Sequence, residues 1–216
     1  MNNRNLITTL AIVALITIAA TSAGCATNTS PTATPTPIPA TETVIGNNTT
    51  FSSAVGFNIT YPKNLRIDSN QTENASQPVR VYIYVDTNNT NNKVDGVVVG
   101  TSDITANDTL ADWYAFNLNK INNYPNFKQL TVNNSTTLGG KRAYTIVWQG
   151  TVPVQQGADA AGVTNTTLKV MQSYVVNHNK GYVVTYKALP SDYDKYLAQA
   201  QRIMNSFALP QPFNQV

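Results

Sequence analysis

Apolar and polar residues alternate along much of this chain. A period of two puts alternate side chains on opposite faces of a strand, so each such run reads as a β-strand with one buried face. Gly56–Tyr61 places Phe57, Ile59 and Tyr61 on one face, and Pro62 ends the run. Val79, Val81, Ile83 and Val85 share a face opposite Arg80, Tyr82 and Tyr84. The Asn/Thr-rich turn Asp86–Asp95 leads into a Val-rich strand, Gly96–Ser102. Phe127–Asn133 and Arg142–Gln149 form a hairpin-like pair with Gly139-Gly140 at the bend. Leu168–Val176 and Tyr182–Leu189 flank Asn177-His-Asn-Lys-Gly181, a turn sequence. Gly150–Thr167, small and polar, reads as a surface loop.

Two stretches switch to the helical period. Asp108 or Thr109 caps a helix from Leu110 to about Tyr124, with Leu110, Trp113, Tyr114, Leu118 and Ile121 at helical spacing and Pro125 beyond. Pro190-Ser191 opens the second, with Ser191 and Asp194 in capping-box spacing. Its stripe is Tyr193, Tyr196, Leu197, Ala200, Ile203, Met204 and Phe207, which predicts a helix lying on a sheet. Strands, a helix, four strands and a closing helix make an α+β domain: an antiparallel sheet covered by helices.

Gly56-Phe-Asn-Ile-Thr-Tyr-Pro62, Leu138-Gly-Gly-Lys-Arg-Ala143, Lys180-Gly-Tyr-Val-Val-Thr-Tyr186 and the run from Tyr193 to Ser206-Phe207 are arranged as in the PsbP family, which this chain resembles over about Phe51–Leu209. The resemblance implies a three-layer α/β/α sandwich around an antiparallel sheet. It also implies an accessory or binding module, since members mostly do not catalyse reactions. No metal- or partner-binding motif of the family can be matched here.

Before the domain comes a leader. Arg4 precedes the apolar run Leu6–Ala20, which is shorter than the roughly 20 residues of a spanning helix. Ser22-Ala-Gly-Cys25 resembles the lipobox of prokaryotic lipoproteins, in which the Cys is lipidated and becomes the mature N-terminus. Ser22 stands where Leu is commonest. Residues 1–24 are thus expected to be a signal peptide, the alternative being an uncleaved anchor. Cys25 is the one cysteine of the 216 residues, so no disulfide can form within the chain. Residues 25–50, with Pro31, Pro35, Pro37 and Pro39, read as a Thr/Pro-rich disordered tether. The domain is expected over 51–209 and a tail over 210–216.

Charge narrows the partners. Lys and Arg total 14 against 11 Asp and Glu, and Arg4 lies in the leader, so the mature balance falls one unit below the formal +3. A charge that weak and scattered argues against nucleic acid. The membrane, through lipid on Cys25, is the expected first partner, and a membrane complex or envelope polymer the second.

Candidate chemistry is sparse. His178 is the one histidine and falls in a turn, and the one cysteine belongs to the anchor; Ser-His-Asp, Cys-His and zinc sites are therefore not expected. Asp86–Asp95 has oxygen ligands at alternate positions but lacks the sixth-place Gly and has Val97 where a bidentate Glu would close a calcium loop. Gly139-Gly140-Lys141 lacks the spacing of a phosphate loop. No cofactor is expected. Asp103/Asp108/Asp112 and Asp192/Asp194 are the carboxylate groupings an acid–base mechanism would need, although helix starts attract acids for electrostatic reasons alone. Trp113 and Trp148 suit a core better than a sugar-stacking face. Asn-x-Ser/Thr sequons stand at Asn28, Asn47, Asn48, Asn58, Asn70, Asn74, Asn88, Asn107, Asn133, Asn134 and Asn165, most in expected loops. Lipobox, stalk and sequons together suggest an archaeal surface protein. Three functions follow: a lipid-anchored, non-catalytic binding or accessory module; an envelope-acting hydrolase using paired carboxylates; or a structural, glycosylated envelope protein.

Overall fold

The computed structural model describes residues 41–70, 80–86, 94–155 and 163–209. The expected leader, Cys25 and the tail, with Val79 and Asn28, Asn74 and Asn88, lie outside the described residues.

Seven antiparallel strands form the central sheet: β4 (Ile67–Asn70), β5 (Arg80–Tyr84), β6 (Gly96–Asp103), β7 (Lys128–Leu138), β8 (Lys141–Gln155), β9 (Val163–Asn177) and β10 (Lys180–Ala188). Their order is β4-β5-β6-β10-β9-β8-β7. A second sheet joins β1 (Thr41–Ile45), β2 (Asn48–Ser52) and β3 (Asn58–Pro62). Helix α1 (Leu110–Ile121) and helix α2 (Pro190–Asn205) complete the chain.

Alternation along β10 explains the layering. Tyr182, Val184 and Tyr186 enter one apolar cluster with Val81, Val99, Ile203 and Phe207, the last two from the α2 stripe and its end. Val183, between them, enters the other cluster, with Trp113, Ile121, Trp148 and Tyr174. The helices thus cover opposite faces of one antiparallel sheet, the expected three-layer α+β sandwich. The small sheet joins the α2 side through Phe51, Phe57, Ile59 and Tyr61. Ser206 fixes it there: the Thr60 N–H donates to Ser206 Oγ at 2.8 Å, and Ser206 Oγ lies 2.9 Å from the Thr60 carbonyl.

Four expectations are corrected. The ladder begins at Thr41, inside the stretch read as tether: β2 buries Thr49 and Phe51 and exposes Asn48, so β-branched threonines serve the alternation that aliphatics serve elsewhere. Gly150–Thr167 is not all loop. Paired residues run from Gly150↔Leu168 to Gln155↔Val163, a mostly polar extension of a ladder whose backbone bonds need no apolar partners. The first helix ends at Ile121, short of Tyr124. Ser191 forms no capping box: Pro190 takes the first helical position and Leu189 the cap, with no side-chain cap bond of the helix's own.

Asp95 stands in for that missing cap. It is buried, and its Oδ1 accepts the Leu189 N–H at 3.0 Å; its Oδ2 has no partner among the described residues. Burial raises its carboxyl above the ordinary 3.8, against the opposing pull of the Leu189 bond, with Asp192 and Asp86 adding to the rise and Lys195 opposing it. The folded state therefore holds this proton more tightly than the unfolded chain. Its contribution to stability is largest below the unfolded value and falls as pH rises through the folded one. Asp95→Asn keeps an acceptor for Leu189 and removes the charge. Its stability relative to wild type is expected to climb as pH rises through the acid range, read by thermal melts; a flat or falling difference would contradict the assignment.

Candidate functional site

Among the described residues, a surface groove of about 520 Å³ lies between the end of β6, the following loop and α1; Asp103, Ile104, Thr105, Asp108, Asp112, Trp113 and Phe116 line it. The three carboxylates grouped from sequence therefore do share one wall.

Local hydrogen bonding explains why each acid is there. Asp103 closes β6 and pairs with Lys180 of β10, Nζ to Oδ1 at 2.5 Å. The Ile104 N–H donates to the Asn179 carbonyl at 2.9 Å, which ties the loop to the β9–β10 turn. The Thr105 N–H donates to Asp108 Oδ2 at 2.8 Å, and the Asp108 N–H to the Thr105 carbonyl at 3.0 Å. Thr109 caps α1 in a complete capping box: its N–H and hydroxyl donate to Asp112 Oδ2 at 2.9 and 2.6 Å, and its Oγ1 accepts the Asp112 N–H at 3.2 Å. Those bonds, the hydroxyl first and the N–H second, hold the Asp112 carboxyl below its ordinary value.

The aromatic wall has a different origin. Trp113 is buried over Gly181, where an added Cβ would come within 2.5 Å of the indole; only glycine lets the strand pass so close. Phe116, 40% exposed, stacks beside Trp113 with centroids 6.2 Å apart. Lys120 lies 4.1 Å over the Phe116 ring, and partial burial lowers its ammonium.

Acid–base hydrolysis makes two demands of a carboxylate pair. A general acid needs a raised carboxyl beside a second, ionised one. Asp112 is shifted the other way, and Asp95, which is raised, caps α2 and does not line the groove. Asp192 and Asp194 lie in the first turns of α2, where Asp194 pairs with Lys169 at 3.2 Å. Among the described residues no three His, Cys, Asp or Glu side chains gather as a metal set, and no helix is long and apolar enough to cross a membrane.

The remaining candidates resolve structurally. His178 (φ 48°) and Asn179 (φ 59°) form the two-residue turn between β9 and β10, His178 being exposed. Gly139 and Gly140, both left-handed, form the β7–β8 turn. Trp148 is as buried as Trp113, each at 3%. Of the residues in the Asp86–Asp95 turn, whose pattern already argued against a calcium loop, Asp95 accepts the Leu189 N–H, and 87–93 lie outside the described residues. Asn47, Asn48, Asn58, Asn107, Asn133, Asn134 and Asn165 are exposed. Asn48, Asn70, Asn134 and Asn165 stand on strands where loops were expected, and Asn58 and Asn133 stand on the strands expected to carry them. Sequence reasoning missed Phe116 and Lys120. The available signal was an aromatic residue lying off the apolar stripe of its helix.

An antiparallel sheet with one helix packed on each face makes this domain a three-layer α+β sandwich. The chain is similar to cyanobacterial PsbP (CyanoP) from Synechocystis sp. PCC 6803, at 15% identity and a TM-score of 0.50, covering 77% of this chain and 94% of that one. It is also similar to LpqN, involved in cell envelope biogenesis of Mycobacterium tuberculosis, at 14% identity and a TM-score of 0.47, over 81% of this chain and 93% of that one. A third is PA94 from Pseudomonas aeruginosa, a protein of unknown function and putative regulator, at 14% identity and a TM-score of 0.43, over 72% and 92%. No protein-family model and no curated protein sequence matches. The chain therefore has the PsbP-like fold that its strand and helix patterns predict.

Proposed function

We propose that this protein is a membrane-tethered, extracytoplasmic accessory module that binds a partner and does not catalyse a reaction. The observation that carries the reading is the state of the groove: its three carboxylates are committed to Lys180, Thr105 and Thr109, while Phe116 presents an exposed ring. Such a site offers contact area and carboxylates already engaged by neighbouring donors. The lipobox-like Ser22–Cys25 supports anchoring by a thioether-linked lipid at Cys25. The Thr/Pro-rich stretch up to Ala40 serves as a spacer. Tethering raises the domain's local concentration beside a membrane complex or envelope polymer. Exposed sequons such as Asn47, Asn107 and Asn165 suit a glycosylated cell surface.

Affinity capture from native membranes tests this. Wild type is expected to retain a membrane partner that is lost with Cys25→Ser and depleted with Phe116→Ala. Recovery of the same set from all three, or release of cleaved envelope fragments by the purified domain, would refute it.

A further inference from the structure

We infer that the groove between β6 and α1 is a saccharide site that takes an uncharged pyranose ring; the inference rests on the binding role proposed above and names its ligand class. Trp113 is the residue that points to a ligand. It is 3% exposed and borders the groove, yet its Nε1–H has no hydrogen-bond partner among the described residues. A buried donor without an acceptor carries the full cost of its desolvation, so such groups are nearly always paired. Trp148, equally buried, shows the usual arrangement, its Nε1–H reaching Gln172 Oε1 at 2.9 Å. The Trp113 indole is held against Gly181 and beside Phe116, which leaves its donor waiting for an acceptor from outside the chain.

The groups around that donor select the ligand. Each groove carboxylate is engaged through one oxygen: Asp103 Oδ1 by Lys180, Asp108 Oδ2 by the Thr105 N–H, and Asp112 Oδ2 by Thr109. Their second oxygens accept no hydrogen bond among the described residues. A ligand that satisfies the groove must bring an acceptor for the indole and several donors for the acids. Hydroxyls do both, whereas an alkylammonium has donors and no acceptor. An anion would meet three carboxylates, and an apolar ligand would leave every polar group unpaired. Net field does not favour an ion, because Lys180 on Asp103 and Lys120 over Phe116 offset two of the three negative charges. A peptide strand offers one N–H per residue, alternately pointing away, while a pyranose carries several hydroxyls on one ring. Its C–H face has a counterpart in the exposed ring of Phe116 and in half-buried Ile104. The groove's volume of about 520 Å³ is that of a small-ligand site.

The test is a magnetic resonance titration of isotope-labelled full chain in detergent. Two tryptophans give two indole N–H resonances, and Trp113→Phe assigns them. The probes are short, uncharged chains of linked hexoses or N-acetylhexosamines. At least one is expected to shift the Trp113 resonance saturably and to leave that of Trp148 in place. Phe116→Ala is expected to weaken that probe about tenfold. Trp113→Phe is expected to weaken it about fivefold. Removing from the probe the hydroxyl that meets the indole is expected to cost wild type the same factor and Trp113→Phe nothing, a coupling that a merely structural tryptophan does not show. Should Trp113→Phe misfold by circular dichroism, the wild-type shift and its loss in Phe116→Ala decide the matter. The inference is overturned by a panel that leaves the Trp113 resonance unmoved, by affinity indifferent to Phe116→Ala, or by an uncharged peptide or alkylammonium that shifts the resonance where saccharides do not. A Phe116-dependent membrane partner captured without any saccharide binding defeats this inference and leaves the accessory role standing. Saccharide binding followed by cleavage of the probe does the reverse.

Discussion

Phe57→Ala is expected to lower stability by about 3–5 kcal/mol, a loss of roughly 10 °C or more in melting temperature for a domain of this size. The ring is fully buried where three layers meet. It lies 6.2 Å from Phe51 of β2, 6.4 Å edge-on from Tyr182 of β10 and 5.6 Å from Phe207 after α2. Its removal leaves a cavity between partners that backbone bonds hold in place: Ser53 N–H to the Phe57 carbonyl at 2.8 Å, and reciprocal bonds of 2.9 Å between Asn58 and Ala208. Neighbours so fixed cannot collapse into the gap, which puts the cost at the upper end of such truncations. Denaturant melts would read it. A loss below about 1 kcal/mol would mean that the small sheet is not part of the cooperative unit.

Trp148→Ala is the matching expectation on the other face, again about 3–5 kcal/mol. The indole lies between Tyr124, stacked at 5.7 Å, and Phe127 at 5.8 Å. Its Nε1–H donates to Gln172 Oε1 at 2.9 Å. Gln172 also accepts the Tyr174 hydroxyl at 2.8 Å and donates to Thr185 Oγ1 at 3.3 Å, a buried polar network inside an apolar layer. Trp148→Phe keeps most of the packing and removes the donor, and is expected to cost less, on the order of 1–2 kcal/mol. The two sites belong to separate apolar clusters on opposite faces, so the Phe57→Ala and Trp148→Ala losses should add to within about 0.5 kcal/mol. Strong coupling would place both rings in a single core.

Much of this was legible in the sequence because the signals are local. The α2 stripe from Tyr193 to Phe207, the Thr109 cap and the Asn177–Gly181 turn each declare themselves within a few residues. So does the alternation in Gly56–Tyr61 and Val81–Val85. What was not legible depends on distant partners. β1 and β2 carry threonine and asparagine where other strands carry valine, and become a sheet because β3 stands beside them. The outer halves of β8 and β9 are held by each other, Thr151 against Thr167 and Val152 against Thr166. The start of α2 is served by Asp95, far back in the chain, and no inspection of Pro190–Asp194 reveals it. The groove was half visible: its acids could be named, but not that each is already engaged, nor that Gly181 admits the Trp113 ring behind them.

The proposed function requires a PsbP-like domain held at the outer face of a membrane by its own N-terminus. Intact-mass and N-terminal peptide analysis of the native protein tests this most directly. A mature chain beginning at Cys25, with a lipid-sized mass on that residue, is the predicted result. A chain beginning at Met1 with an unmodified Cys25 thiol, recovered from the cytosol, would contradict it.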